Sequence, residues 1–278
     1  MRRRLAYFGT PAMAVPPLRA LVEAGHDVAL VVTRVDKRRG RGGELSPSPV
    51  KAAALELGLP VSHEVDDVLG KGIDLGVVVA FGQLIRPHVL AEVPMVNLHF
   101  SLLPRWRGAA PVERALLAGD TETGVCLMQL EEGLDTGPVF DTVHVPIGPH
   151  VTAAELRAQL VEVGTRQLVG ALAAPLGEPQ PQQGEPVYAA KIRPEELRID
   201  WSRPVAEIDR LVRLGGAWTT FRGKRVKVHA AELGDAPAGA LPATPGLVLH
   251  TVQPEGKGPM PFADFARGAR PQPDEHFE

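Results

Sequence analysis

The chain has 278 residues, a formal net charge of −3 at pH 7 and a single cysteine. This length allows one large or two ordinary domains, and 44% hydrophobic residues are enough for a real core. Cys126 alone excludes an internal disulfide framework, which favours a reducing, cytoplasmic compartment. No apolar run approaches the ~20 residues that span a membrane. The apolar run at residues 5–8 also ends at Gly9, before a signal-peptide core could form.

Strand and helix patterns alternate over the first half of the chain, which predicts an α/β fold with a wound, largely parallel sheet. Thr152 and Glu155 form a capping box for the last and longest of the predicted helices. The predicted strands are residues 5–9, 27–33, 73–80, 95–100, 124–130 and 139–145, and the predicted helices are residues 10–22, 50–57, 111–117 and 152–173.

The second half has a different composition. Residues 175–186 are crowded with Pro, Gln and Gly, which is typical of a linker over a surface. An amphipathic helix at 205–214 and short strands at 218–221, 224–229 and 247–252 follow, separated by turn residues, and this pattern suggests a small open barrel. We therefore expect a first domain at residues 1–178, a linker at 179–198 and a smaller, shortened barrel-like domain at 199–278.

Positive charge is concentrated in two blocks. Residues 1–60 hold ten Lys and Arg against five Asp and Glu, and residues 191–229 hold the same numbers. The rest of the chain is acidic, with ten basic against 23 acidic residues. Two basic blocks on an otherwise acidic protein are typical of a polyanion-binding protein, although a solvated loop and an ordinary basic strand pair would look the same.

A short polar motif interrupts one of the buried strands. Asn97 and His99 are two residues apart, so on a strand their side chains point to the same face. An amide and an imidazole at the end of a buried strand are costly unless they are hydrogen-bonded. A satisfied polar pair would explain an isolated Asn-x-His. The Pro-closed loop directly after it and the turn around Asp135 favour a functional site instead.

These motifs identify a resemblance. The chain resembles the folate-dependent formyltransferases, and within them most closely the enzymes that formylate methionyl initiator tRNA. The resemblance runs from residue 6 to the region of residues 226–228, and more weakly to residue 257. The matching stretches are Phe8-Gly9-Thr10-Pro11, Gly40-Arg41-Gly42, Ser48-Pro49-Val50-Lys51, residues 97–111, Glu122-Thr123-Gly124-Val125, Leu134-Asp135-Thr136-Gly137 and Ile199-Asp200-Trp201.

The resemblance implies a formyltransferase fold, with a Rossmann-like first domain and an oligonucleotide/oligosaccharide-binding-type β-barrel as the second. It also implies transfer of a formyl group from 10-formyltetrahydrofolate, as co-substrate, to a free amino group. His99 would take a proton from the attacking amine, Asp135 would accept a hydrogen bond from the other ring nitrogen, and Asn97 would donate to the developing oxyanion. No metal is expected, because the histidines and the cysteine show no metal-ligand spacing.

The folate and tRNA contacts follow from the same resemblance. The folate would be held by the loop after His99 and by the end of the preceding strand: Ser101, Leu102, Leu103, Pro104, Phe81, Gln83, Leu84 and Ile85. Phosphates of the tRNA would be neutralised by cations of the two basic blocks: Lys37, Arg38, Arg39, Arg41, Lys191, Arg222, Lys224, Arg225 and Lys227. The Gly-x-Gly-x-x-Gly fingerprint is absent, which argues against a nicotinamide cofactor. We expect a monomer that does not bind membranes.

Three other functions keep some support. The same chemistry could act on another amine, such as an amino sugar on a nucleotide carrier, and the shortened barrel is the argument for this. A hydrolase that releases formate from the same folate would use a similar triad, but it would be expected to carry an extra amino-terminal domain. A tRNA-binding module without activity would not need Asn97, His99 and Asp135 together.

Overall fold

The computed structural model describes residues 1–39, 43–234, 246–272 and 275–278. The chain divides into two compact units. The first unit comprises residues 1–111, 122–146 and 157–189, and the second comprises residues 112–121, 147–156 and 190–278. Both units are therefore built from segments that are not continuous in sequence.

The first unit is organised around a seven-stranded sheet. The strands in the described residues of this unit are β1 (Arg4–Gly9), β2 (Asp27–Val32), β3 (Lys37–Arg39), β4 (Glu44–Ser46), β5 (Val61–Ser62), β6 (Leu75–Val79), β7 (Met95–His99), β8 (Arg107–Gly108), β9 (Glu122–Gln129), β10 (Val139–Pro146) and β11 (Tyr188–Ala189). The sheet has the order β10-β9-β7-β6-β1-β2-β5. Strands β5, β2, β1, β6 and β7 are parallel, and β9 and β10 are antiparallel to their neighbours.

Burial explains this arrangement. Every residue of β6 and β7 is buried, which is typical of central strands covered on both faces. The helices of the chain up to residue 172 are α1 (Val15–Glu23), α2 (Pro49–Glu56), α3 (Pro87–Glu92), α4 (Pro111–Ala118) and α5 (Ala153–Leu172). The predicted largely parallel sheet is confirmed. Short elements such as α3 and β5 were not predicted.

Helix starts follow the predicted signals. The Glu155 N–H donates to Thr152 Oγ1 at 3.3 Å, and the Thr152 N–H donates to Glu155 Oε2 at 2.9 Å, so the capping box is confirmed. Ser48 caps α2 by accepting from the Lys51 N–H at 3.0 Å. The predicted basic loop between β2 and α2 instead contains a two-stranded hairpin, β3–β4, in which Lys37 pairs with Ser46.

The carboxyl ends of the parallel strands lie at one edge of the sheet, where open α/β sheets place their ligands. The segments that follow β1, β2, β6 and β7 all start at this edge. One contact joins two of them directly, because Thr10 Oγ1 donates to the Phe81 carbonyl at 3.1 Å. The segments that follow β1 and β6 are therefore neighbours in space.

The second unit contains an antiparallel sheet of order β12-β13-β14-β15, formed by β12 (Trp218–Phe221), β13 (Lys224–Leu233), β14 (Leu247–Pro254) and β15 (Met260–Pro261). Its later helices are α6 (Val205–Leu214) and α7 (Phe262–Ala269). Phe221, Phe265 and Phe277 form its aromatic core. The predicted second domain of short strands is present as this four-stranded antiparallel sheet, whereas α7 was not predicted.

The segment predicted to begin the linker makes regular contacts within the first unit. Gln180 and Val139 exchange two backbone hydrogen bonds of 2.8 Å each. The Val187 N–H donates to the Pro104 carbonyl, and β11 pairs in parallel with β8. The domain limits at residues 178 and 198 stay a prediction.

Two features of the described ranges bear on function. No helix in residues 1–39, 43–234, 246–272 and 275–278 is long and apolar enough to cross a bilayer. Across the same ranges, no three His, Cys, Asp or Glu side chains are grouped as metal ligands would be.

Candidate active site

Strand β7 carries the two central polar side chains. Asn97 is 8% exposed and His99 is 5% exposed, and both belong to a strand that is otherwise apolar. Their alternation along β7 places them on one face of the sheet. On β9 the residues opposite them are Met128 and Cys126. The predicted juxtaposition of an amide and an imidazole is therefore present.

The imidazole of His99 contacts a polar group through each nitrogen. Nε2 lies 2.8 Å from the carbonyl oxygen of Trp106, and Nδ1 lies 3.5 Å from Oδ2 of Asp135. A carbonyl oxygen can only accept a hydrogen bond, so Nε2 carries a hydrogen in this arrangement. In the neutral ring, Nδ1 then holds the lone pair and is the nitrogen that can take a proton.

Asp135 is held differently from the expectation. Its Oδ2 accepts a hydrogen bond from the Gly108 N–H at 2.7 Å, and the ring of His99 is at 3.5 Å, beyond ordinary hydrogen-bond length. The backbone of Asp135 has φ +51°, a left-handed conformation that Asp tolerates better than most residues. Asp135 therefore faces His99 as a nearby negative charge, and its partner for a short hydrogen bond is the backbone.

This geometry suits proton transfer to His99 next to an oxygen atom of a substrate that gains negative charge. Nδ1 of His99 can accept a proton, and the carboxylate of Asp135 favours the imidazolium that results. The amide of Asn97, on the same face, can donate hydrogen bonds to an oxygen that gains charge. The three predicted catalytic side chains are thus two neighbours on one strand and one acid brought in by a distant turn.

The loop after His99 is fastened to the rest of the unit. Ser101 is fully buried and its Oγ donates to the Arg105 carbonyl at 2.6 Å. Leu102 lies so close to Gly124 that a Cβ on that glycine would meet it at 2.5 Å. Leu103, in a cis peptide bond with Pro104, is half-buried, as are Leu102 and Pro104. Of the four predicted folate contacts in this loop, Ser101 thus shapes the loop and the other three reach its surface.

The residues predicted from the neighbouring strand end divide into two groups. Phe81 and Ile85 are buried in an apolar cluster, with the ring of Phe81 edge-on to Phe8 at 5.5 Å. Gln83 and Leu84 are exposed, Leu84 by 76%. Gln83 and Leu84 therefore offer exposed surface just beyond the end of β6, the strand that pairs with β7 at Val78 and Asn97. Their contact with a folate stays a prediction.

Comparison with known proteins identifies the family. Residues 3–172 match the profile of a family described as "Formyl transferase", and residues 191–250 match its "Formyl transferase, C-terminal domain". The chain belongs to the formyl transferase family. The catalytic elements described above all lie within the first of these two matches.

Several relatives of this formyl transferase carry specific names. The chain is 47% identical over 264 residues, 88% of both chains, to the methionyl-tRNA formyltransferase of Dinoroseobacter shibae. Among solved structures it resembles the methionyl-tRNA formyltransferase from Clostridium thermocellum, with a TM-score of 0.66, 15% identity and coverage of 93% and 100%. It also resembles HypX from Aquifex aeolicus in complex with tetrahydrofolic acid, with a TM-score of 0.67 and 16% identity, over 96% of this chain and 47% of HypX.

Three of the cations predicted to contact tRNA lie on β3 of this formyl transferase. Lys37 and Arg38 are exposed, and Arg39 is the last residue of β3. Arg41 was also predicted to contact tRNA, and it lies outside the described residues. At the root of the hairpin, Lys51 pairs with Asp36 at 2.8 Å.

The hairpin root is also joined to the loop that follows β6. The Arg34 guanidinium donates to the Gly82 carbonyl, and Gly82 has a left-handed φ of +67°. Since Gln83 and Leu84 follow directly, this hydrogen bond connects the segment before β3 to the predicted folate-binding residues after β6.

The cations of the second basic block have different surroundings. Arg225 and Lys227 alternate with buried Val226 and Val228 on β13, so they share its exposed face. The Arg225 guanidinium stacks on the Trp218 ring at 3.9 Å. Lys224 at the start of β13 and Lys191 are also exposed.

Arg222 does not share this arrangement. Its Nε and Nη2 each donate to a carboxylate oxygen of Glu275 at 2.6 Å, and its Nη1 donates to the Ala269 carbonyl. Its charge is therefore compensated within the unit by Glu275, and its predicted contact with a phosphate stays a prediction.

Backbone groups near the site were missed by the sequence reasoning. The carbonyl of Trp106 and the N–H of Gly108 hold His99 and Asp135, and side-chain patterns do not reveal such contacts. The sequence signal is the glycine at position 108 itself. In the structure Gly108 has a φ of +117°, and a Cβ there would meet the Ala189 carbonyl at 3.0 Å. Only glycine fits that position easily.

Proposed function

We propose that the chain transfers a formyl group from 10-formyltetrahydrofolate to the amino group of methionyl initiator tRNA. The observation that carries the proposal is the arrangement of Asn97, His99 and Asp135 within a formyl transferase fold. The identity to relatives named methionyl-tRNA formyltransferase supports the acceptor. The formyl carbon forms a bond to the amine nitrogen, its bond to N10 of the folate breaks, and tetrahydrofolate leaves with the proton that His99 has taken from the amine.

The side chains would act as follows. Nδ1 of His99 takes the proton of the attacking amine, since Nε2 is already bonded to the Trp106 carbonyl. The charge of Asp135, 3.5 Å away, stabilises the protonated ring. Asn97 donates to the formyl oxygen as it gains negative charge, a contribution that can reach roughly 3–4 kcal/mol for one well-placed donor.

Binding would be divided between two kinds of surface. The exposed part of the folate sites, Leu102 to Pro104 with Gln83 and Leu84, would cover the pteridine. Among the cations, we assign phosphate contacts to Lys37, Arg38, Arg39, Lys191, Lys224, Arg225 and Lys227, because such contacts position an RNA without reading its sequence. The predictions of a monomer and of a cytoplasmic location belong to the same proposal.

The test is an assay with two acceptors in parallel. Purified protein and 10-formyltetrahydrofolate are incubated with methionyl initiator tRNA or with an amino-sugar nucleotide, and formylated product is measured by mass spectrometry. We expect formylated product with methionyl initiator tRNA but not with the amino-sugar nucleotide, and no product when the tRNA carries no methionine. Product with the sugar nucleotide alone would replace the acceptor, and release of free formate alone would replace transfer by hydrolysis.

A further inference from the structure

Gln182 lies in the segment after β10 and α5, where composition had predicted a linker, yet its side chain is half-buried in the first unit. Its amide nitrogen donates to the Asp135 carbonyl at 2.9 Å and to the Gly137 carbonyl at 2.8 Å. Its amide oxygen accepts from Nε and Nη2 of Arg107 at 3.0 and 2.7 Å. These four hydrogen bonds use the full capacity of a glutamine side chain.

The two ends of this amide reach the two segments that hold the catalytic pair. Arg107 lies between Trp106, whose carbonyl contacts His99, and Gly108, whose N–H contacts Asp135. On the other side, Gln182 binds the backbone of Asp135 itself. A single side chain thus connects the segment that orients the imidazole to the turn that presents the acid.

The turn needs this support because its conformation is restricted. Asp135 has φ +51°, and a Cβ at Gly137 would meet the Gln129 carbonyl at 2.0 Å. A non-glycine residue held in a left-handed conformation persists when the surroundings over-determine it. The two bonds from Gln182 to the Asp135 and Gly137 carbonyls provide such a constraint on both sides of residue 136.

We propose that Gln182 is a positioning residue for the His99–Asp135 pair, which it holds by fixing the Asp135 turn to the Arg107–Gly108 segment. The expected effect of Gln182 on kcat rests on the proposed function, whereas its expected effect on the backbone around Asp135 and Gly108 rests on the geometry alone. Gln182 contacts neither His99 nor the Asp135 carboxylate, so it acts through the backbone.

The kinetic test compares Gln182→Ala with Gln183→Ala, a change at its exposed neighbour. Displacement of a catalytic group by about 1 Å can cost about 100-fold, so kcat of Gln182→Ala should fall by about 10- to 100-fold. The KM values for folate and tRNA should change by less than about twofold, since no binding group is removed. Gln183→Ala should leave kcat and both KM values unchanged.

A second variant separates the two ends of the amide. Gln182→Glu keeps two acceptor oxygens for Arg107 but removes both donors to the Asp135 and Gly137 carbonyls. We expect kcat to fall as far as in Gln182→Ala. A Glu variant with wild-type kcat would overturn the proposal, because the bonds to the turn would then be dispensable.

A double-mutant cycle decides whether Gln182 acts through Asp135. In the Asp135→Ala background, adding Gln182→Ala should reduce kcat by a smaller factor than it does in the wild type, because one member of the pair it positions is already absent. Independent, multiplicative losses would overturn the proposal.

Amide hydrogen exchange tests the geometry without any substrate. The Gly108 N–H, which donates to Asp135, should exchange several-fold faster in Gln182→Ala and Gln182→Glu than in wild type and Gln183→Ala. Unchanged exchange at Gly108 would overturn the positioning role. If wild-type protein formylates no acceptor, the proposed function fails, while the exchange data still decide the role of Gln182.

Discussion

The polar side chains of the candidate site in the first unit and two ion pairs of the second unit are held in different ways. In the first unit, His99 and Asp135 are bonded to backbone atoms, the Trp106 carbonyl and the Gly108 N–H. In the second unit, Arg114 pairs with Glu196 and Arg222 pairs with Glu275, so these side chains are bonded to one another. The first arrangement depends on the path of the chain, whereas the second depends on the choice of two side chains.

This difference has a functional meaning. A backbone partner holds a side chain in place without cancelling its capacity to react, so His99 retains a nitrogen for proton transfer. An ion pair satisfies both of its members, so Arg222 is less available to a phosphate than Arg225, whose guanidinium lies on an indole ring. Four measurements would break or sharpen this comparison.

The largest effect is expected at the backbone-held site. Asn97→Ala, His99→Ala and Asp135→Ala should each lower kcat at least about 100-fold. They remove, in that order, a hydrogen-bond donor, the proton acceptor and a negative charge that act on the transition state. Initial-rate kinetics with methionyl initiator tRNA provide the measurement. His144→Ala is the control, since His144 is an exposed histidine paired with Glu122. A kcat within about threefold of wild type would remove that residue from the mechanism.

The second effect compares two arginines of one unit. Arg225→Ala should raise KM for tRNA several-fold and reduce the slope of log affinity against log salt by about one unit, as expected for one lost phosphate contact. Arg222→Ala should change tRNA binding much less and should lower the melting temperature, because it breaks the pair with Glu275. Binding titrations at several salt concentrations measure the slope. Equal slopes for both variants would contradict the distinction.

The third effect concerns the acid sensitivity of the second unit. Glu196 has its pKa lowered from 4.5 to about 2, mainly by the hydrogen bond from the Arg114 side chain and next by the Arg193 backbone N–H. A lowered carboxyl pKa stabilises the fold above about pH 4.5, and this stabilisation is lost as the pH falls towards 2.

Glu196→Gln should therefore reduce the free energy of unfolding at pH 7 by less than about 1 kcal/mol, the usual limit for a pair near the surface. The difference from wild type should shrink as the pH is lowered from 5 to 3 in urea titrations. The neighbouring Glu195→Gln should show no such trend. A difference that stays constant with pH would rule out the ion pair as its cause.

The smallest effect is expected at Cys126, which lies opposite His99 on β9. Burial raises the pKa of its thiol, although hydrogen bonds with Thr142 and the Leu103 backbone lower it in part. The thiolate is the reactive form, so alkylation by iodoacetamide at pH 7.5 should be at least about tenfold slower in the native protein than in urea. Mass spectrometry follows the modification. Rapid native alkylation with loss of activity would show that the site opens.

The sequence predicted the backbone-held region well. A completely apolar strand such as residues 75–79 is predicted to lie in the centre of the sheet, because both of its faces must be buried. The polar residues Asn97 and His99 are easily recognised in the similarly buried neighbouring strand. The turn with Asp135 was recognised through resemblance, and the structure places it beside His99. The strand pattern and the Asn97–His99 motif were sufficient to predict this part of the site, because both are properties of the local sequence.

What could not be predicted depends on partners distant in sequence. The ion pair of Arg222 was not predicted, because its partner Glu275 is 53 residues away in the sequence. Gln182 looked like part of a linker because its partners, Arg107 and Asp135, are 75 and 47 residues away. The hairpin β3–β4 has a basic, Gly-containing sequence without strand-like alternation, so only its pairing with Ser46 and Leu45 makes it a strand pair.

The discontinuous units have a consequence for the order of events during protein synthesis. Residues 112–121 belong to the second unit, and there Arg114 bonds to Glu196 while the Leu117 carbonyl accepts from Arg210. The core of that unit also includes Phe277, beside Phe221 and Phe265. These two partners of residues 112–121 are therefore translated 82 and 93 residues later than the residues that they bind. Nascent chains halted before residue 196 should leave this segment open to protease, long after the strands on either side of it have been made.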